Sequence, residues 1–122
     1  MSKAILEKSF TQADFDTFAR LSGDDNPIHV DPEFSARMRF GKTVAHGALL
    51  CSVLRGLVEE LVPGCRQISQ STMYPAPSPA QTPLRFEAEI TGEDGPTTQI
   101  RLQVTRLDDN EITCTGQTEV IR

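Results

Sequence analysis

Tryptophan is absent from these 122 residues, tyrosine occurs once and phenylalanine six times. A core must therefore come mostly from Leu, Val and Ile, and a dimer interface is one way to supplement it. Cysteine occurs three times, at Cys51, Cys65 and Cys114. An odd number at spacings that match no zinc or disulfide pattern argues against a stapled secreted scaffold and fits a reducing cytoplasm. Cys51 falls inside an apolar helical run and reads as a buried thiol. Only two histidines exist, seventeen positions apart. The acidic cluster around the first of them has neither the glycine nor the terminal glutamate of a calcium loop, so no metal is expected. There is no G-x-S-x-G nucleophile elbow. No apolar run approaches the roughly 18 residues of a membrane span, and the opening Met-Ser-Lys-Ala-Ile-Leu-Glu-Lys is too charged for a secretion signal. Lys and Arg number 12 against 17 Asp and Glu, a net charge of −5. That balance disfavours nucleic acid or anionic membrane as a partner, while leaving room for a local basic patch facing a phosphorylated ligand.

What is present suffices for one domain over 1–122, able to bury roughly two-thirds of its unfolded surface. Residues 4–10 have modest strand character. Thr11-Gln-Ala-Asp14 is a capping-box start; Phe15, Phe18 and Leu21 then recur at helical spacing over about 12–21, and Gly23 ends the helix. Residues 22–30 read as irregular, because Pro27 forces Asn26 toward extended backbone. Asp31-Pro32 looks like an N-cap followed by proline at the first helical position, opening a short helix that carries Phe34 and ends near Arg39. From Gly47 a broad apolar face (Leu49, Leu50, Val53, Leu54, Leu57, Val58, Leu61) predicts the most buried helix, stopped by Pro63-Gly64. After Gly64 the pattern is strand. Positions alternate over 66–74, 84–90 and 100–104 and again from Ile112 to Val120, with turns at Gly92–Pro96 and Asp108–Asn110. The class is α+β: an antiparallel sheet curled around one long helix at about 46–61.

Two features carry chemistry. Asp24 and His29 lie five apart across a proline-stiffened turn, where both side chains can face one pocket. An imidazole near neutrality gives or accepts a proton, and a carboxylate beside it orients or activates water. The same residue types also build turns for their own reasons, with the histidine merely satisfying a carbonyl. Gly47 stands where the buried helix begins. Glycine there lets a ligand approach the backbone amides and the positive end of the helix dipole, which suits a thioester oxygen gaining charge, or it only permits close packing. His46 reads as a cap or as a support for the catalytic pair.

The stretch Phe18-Ala-Arg-Leu-Ser-Gly-Asp-Asp-Asn-Pro-Ile-His-Val-Asp-Pro-Glu-Phe-Ser-Ala, followed by Val44-Ala-His-Gly-Ala-Leu-Leu, resembles the MaoC-like (R)-specific enoyl-CoA hydratases (hydratase 2). The strong resemblance covers about 14–62. It implies a hot-dog fold, with an overhanging segment at about 22–44 that carries the active site, and a homodimer whose sheets join edge to edge. It implies a hydro-lyase that adds water across a trans-2-enoyl-CoA, with Asp24 as base, His29 as acid and the Gly47 amide as oxyanion donor. Asn26 would fix the turn. The family often places a small polar residue about eight positions after the helix glycine, lining the acyl pocket; here that position is Arg55, which joins Asn26 and His46 as expected substrate-binding residues. No cofactor is implied, since the CoA thioester is itself the substrate. Three other readings stay open. One is dehydration on an acyl carrier protein. Another is a hot-dog thioesterase, for which Glu59 and Glu60 are too far along the helix. The third is a non-catalytic acyl-binding module, which would not need both Asp24 and His29.

Overall fold

The computed structural model describes residues 2–122. Five strands form one antiparallel sheet: β1 (Lys3–Lys8), β2 (Arg66–Met73), β3 (Leu84–Asp94), β4 (Thr97–Arg106) and β5 (Glu111–Ile121), in the order β1-β3-β4-β5-β2. Four helices intervene between β1 and β2: α1 (Gln12–Ser22), α2 (Pro27–Val30), α3 (Pro32–Ala36) and α4 (Gly47–Leu61). Among the described residues, no helix is long and apolar enough to cross a membrane.

Alternation in the strands puts one apolar row on α4. In the β3–β4 ladder Phe86 faces Val104, Ala88 faces Leu102 and Ile90 faces Ile100. These side chains, with Leu84 and Cys114, close over Leu50, Leu54, Leu57 and Val58 of α4 in one buried cluster. Removing that apolar surface from water is the main force holding helix to sheet. At the β5–β2 ladder Gly116 is required by close approach, because a Cβ there would lie 2.1 Å from the Ser71 carbonyl oxygen. Both outer strands keep a free edge. On β2, Ile68 and Met73 are exposed; on β1, Ile5 and Leu6 are.

Three expectations are corrected. The segment 22–30 is not wholly irregular: Pro27–Val30 forms a single helical turn, because Asn26 caps it and proline occupies its first position. The helix after Asp31 stops at Ala36 rather than near Arg39. Strand β3 continues to Asp94 past a register shift between Ile90 and Gly92, so the turn narrows to Gly95-Pro96.

Candidate active site

Helix α1 sets the entry to the overhang. Thr11 and Asp14 exchange the two bonds of a capping box, and Gly23 closes the far end with φ 82°, a left-handed conformation that glycine adopts without strain. The chain then turns back. Its backbone is pinned at three places: Val44 N–H donates to Ile28 O (3.0 Å), Ala45 N–H to Ser78 O (2.9 Å) and Ala80 N–H to Thr43 O (3.0 Å). Gln12 adds a clamp that the sequence did not advertise, since it reads there only as part of a helix start. Its amide donates to His29 O at 2.9 Å, and its carbonyl accepts from Thr43 Oγ1 at 2.6 Å.

Asp24 and His29 meet. The two carboxylate oxygens of Asp24 divide their work: Oδ1 accepts from Asn26 N–H at 3.4 Å, while Oδ2 lies 3.8 Å from His29 Nε2. That gap exceeds a direct hydrogen bond. A water about 2.8 Å from each atom would bridge it with ordinary hydrogen bonds. The carboxylate is half exposed and the imidazole buried. His29 Nδ1 lies 2.7 Å from Val44 O. A carbonyl only accepts, so Nδ1 carries a proton, and Nε2 is the nitrogen presented to Asp24. Asn26 holds the turn through its side-chain oxygen, which accepts from Ile28 N–H at 3.1 Å.

His46 is at the N-cap of α4 but its side chain caps nothing. Instead Nε2–H donates to Asp24 O at 2.9 Å, and the ring stacks on His29 with centroids 3.8 Å apart and planes 20° from parallel. Phe18 lies against its side, 4.8 Å between centroids. His46 therefore fixes both members of the pair, one through its backbone and one through its ring. Its Nδ1 is buried without a hydrogen-bond partner among the described residues, as is the Oγ of Ser78, whose carbonyl accepts from Ala45. The missing cap leaves the start of α4 open. Leu49 and Leu50 N–H both donate to His46 O (3.0 and 3.3 Å), while Gly47 and Ala48 have no helical carbonyl behind them.

A cavity of about 400 Å³ opens beside the pair; Asp24, Asn26 and His46 stand outside its lining, and His29, Gly47, Leu50, Tyr74, Ser78 and Thr113 are among its walls. Arg55 does not join them. Its guanidinium donates to Cys65 O at 3.0 Å and pairs with Glu59 at 3.4 Å, at the opposite end of α4. Cys51 is also not the buried thiol expected: it is only partly covered, and its Sγ lies 3.1 Å from Tyr74 Oη. Tyr74 and Ser78 are site residues the sequence reading missed. Their only sequence signal was a lone tyrosine and a serine amid prolines.

Asp24, His29 and His46 offer ligand-type atoms within 4.8 Å of one another. They do not suit a metal. A cation bound by both rings would need to lie near both ring planes at about 2.1 Å from nitrogen, and near-parallel stacked rings share no such point. The arrangement suits proton transfer: a carboxylate and an imidazole facing one gap, beside a cavity that His29 and Gly47 both line.

Sheet, central helix and overhang define a hot-dog domain bearing a carboxylate–imidazole pair. Residues 2–112 match the family model described as the MaoC-like domain, and the chain belongs to that family. It is 39% identical over 98 residues to an (R)-specific enoyl-CoA hydratase of Aeromonas caviae, covering 77% of this chain and 73% of that one. It is 36% identical over 75 residues to a 3-hydroxybutyryl-CoA dehydratase of Methylorubrum extorquens, covering 60% of this chain but only 48% of that protein. The solved (R)-hydratase of A. caviae involved in PHA biosynthesis superposes with a TM-score of 0.91 at 32% identity, over 98% of this chain and 93% of that one.

Proposed function

We propose that this protein is an (R)-specific enoyl-thioester hydratase, equally a 3-hydroxyacyl-thioester dehydratase, acting on acyl-CoA. The observation that carries this reading is the placement of Asp24 Oδ2 opposite His29 Nε2 at 3.8 Å, beside a cavity walled by His29 and Gly47. The named relatives, hydratases and dehydratases of CoA thioesters, support it.

The geometry supports the following roles. Asp24 takes a proton from water as the water oxygen bonds to C3 of the enoyl chain. Negative charge moves to the thioester oxygen, where the Gly47 N–H and the helix dipole stabilise it. Protonated His29 donates at both nitrogens, Nδ1 to Val44 O and Nε2 to C2. The pair ends with its proton on Asp24 instead of His29 and resets by returning it. Reversal dehydrates a 3-hydroxyacyl thioester, and no cofactor enters. The dehydratase relative of Arabidopsis thaliana named for acyl-carrier-protein substrates keeps that carrier as the second reading.

The free edge of β2, with Ile68 and Met73 exposed on it, supports a homodimer joined there, the sheets continuing edge to edge. Three unpaired cysteines support a cytoplasmic setting. The deciding assay is addition of water to crotonyl-CoA, followed by loss of enoyl-thioester absorbance and chiral analysis of the product. (R)-3-hydroxybutyryl-CoA is expected. Free thiol released without hydration would replace this reading by a thioesterase, and turnover only with the carrier-protein substrate would move it to the second reading.

A further inference from the structure

The acyl pocket was expected to be shaped by Arg55, which the structure turns away. The cavity wall beside Gly47 is instead Tyr74, the only tyrosine in the chain. Its ring lies so close to Gly47 that a Cβ on that residue would sit 2.7 Å from Tyr74 Cζ and 3.0 Å from both Cε1 and Oη. The hydroxyl is held: Cys51 Sγ is 3.1 Å away, and Thr72 Oγ1 is 3.4 Å away. Gln70 Nε2 donates to the same sulfur at 3.3 Å, which ties Cys51 to β2 as well as to the phenol. Pro75 follows and restricts the Tyr74 backbone. At 46% exposure, burial alone does not immobilise the ring, so the bonds to Cys51 and Thr72 do.

We propose that Tyr74, latched by Cys51, is the specificity-determining residue that limits acyl-chain length. The inference rests on the hydratase reading. A thioester whose carbonyl oxygen reaches the Gly47 amide must direct its chain past this ring. Along α4 the ring covers the turn from Gly47 to Cys51, so a short acyl group fits in front of it and a long one meets it. Shortening the side chain opens that turn and adds apolar surface to the pocket, where each further buried methylene strengthens binding by about fourfold.

The test is binding of two saturated, unreactive thioesters, butyryl-CoA and octanoyl-CoA, by titration calorimetry, alongside crotonyl-CoA hydration. Tyr74→Ala is expected to bind octanoyl-CoA at least tenfold tighter than the wild type does, and butyryl-CoA within threefold of it. Cys51→Ala, which keeps the ring but frees it, is expected to shift the same ratio by a smaller factor. Octanoyl-CoA affinity unchanged in folded Tyr74→Ala overturns the proposal; Tyr74→Leu takes its place if the alanine variant does not fold. Because binding needs no turnover, loss of the hydratase reading would show in the crotonyl-CoA assay alone, while failure of the length limit would show in the affinities.

Discussion

The two ends of α4 are finished in opposite ways. At the C-terminal end polar groups find partners. Arg55 bonds the Cys65 carbonyl, Glu59 pairs with Arg55, and the Glu59 carboxylate accepts from the Gly64 N–H in the turn that follows. At the N-terminal end the cap position is filled by a histidine whose side chain serves Asp24 instead. Gly47 and Ala48 amides have no cap side chain to bond, and a tyrosine ring stands where a side chain on Gly47 would be. An unsatisfied helix start forgoes roughly 1 kcal/mol of capping stabilisation. It is useful only where something else supplies the acceptor. One end of the helix is closed by side-chain partners; the other is left uncapped, as the proposed binding of a substrate oxygen at Gly47 requires.

Substitutions at the open end separate these roles. The largest effect belongs to the pair beside it. Asp24→Asn and His29→Ala are each expected to lower kcat/KM for crotonyl-CoA at least 100-fold, on the order of a lost acid/base group; the thermal midpoint should stay near that of the wild type for Asp24→Asn and fall for His29→Ala, which strips the buried Val44 carbonyl of its donor. A folded variant that kept full activity would remove that residue from the mechanism. Gly47→Ala comes next, with about a tenfold loss, because its Cβ collides with the Tyr74 ring. Combining it with Tyr74→Ala should recover part of the loss; additive effects would show that the collision is not the cause.

A third prediction concerns Cys51, one turn along from Gly47. The Cys114 thiol beside it, most of all, lowers its pKa to about 5; burial opposes this, and Tyr74, Thr72 and Gln70 add further donors. The adjoining thiolate and burial push Cys114 upward. Cys51 is then already thiolate at pH 7, so its iodoacetamide labelling rate should be flat from pH 7 to 9 and fall as pH drops through about 5. A rate still rising through pH 8.5, as for an ordinary thiol, would contradict this. The smallest effect is expected at the closed end. Arg55→Ala should cost about 1 kcal/mol of stability or less in urea unfolding and leave kcat/KM within twofold. A large loss of activity would return Arg55 to the substrate.

Much of this was legible in the chain. The apolar spacing from Leu49 to Leu61 located α4 to within about a residue, since burial against a sheet leaves a helical period in sequence. The capping box at Thr11 and the Asp31-Pro32 start were read correctly because caps are local chemistry. The helical turn at Pro27–Val30 was missed for the complementary reason. Four residues are too few to show a period, and the tertiary bonds from Gln12 and Val44 hold them. Arg55 was placed by its offset from Gly47, but which way a long side chain turns depends on the partners around it, and the Cys65 carbonyl comes from a turn beyond the helix.

Residue spacing alone determined the class of fold, the order of its strands and of its longer helices along the chain, and that Asp24 and His29 lie across one short proline-stiffened segment. Local backbone preference and burial periodicity suffice for that. Only tertiary structure decided how the parts meet. His46, 22 positions from Asp24, accounts for the carboxylate's backbone and the imidazole's ring together. Tyr74, from the end of β2, closes over Gly47 and bonds Cys51, 23 positions away. Such contacts leave no periodic trace in the chain, because packing between distant segments is specified by shape and pairing rather than by interval.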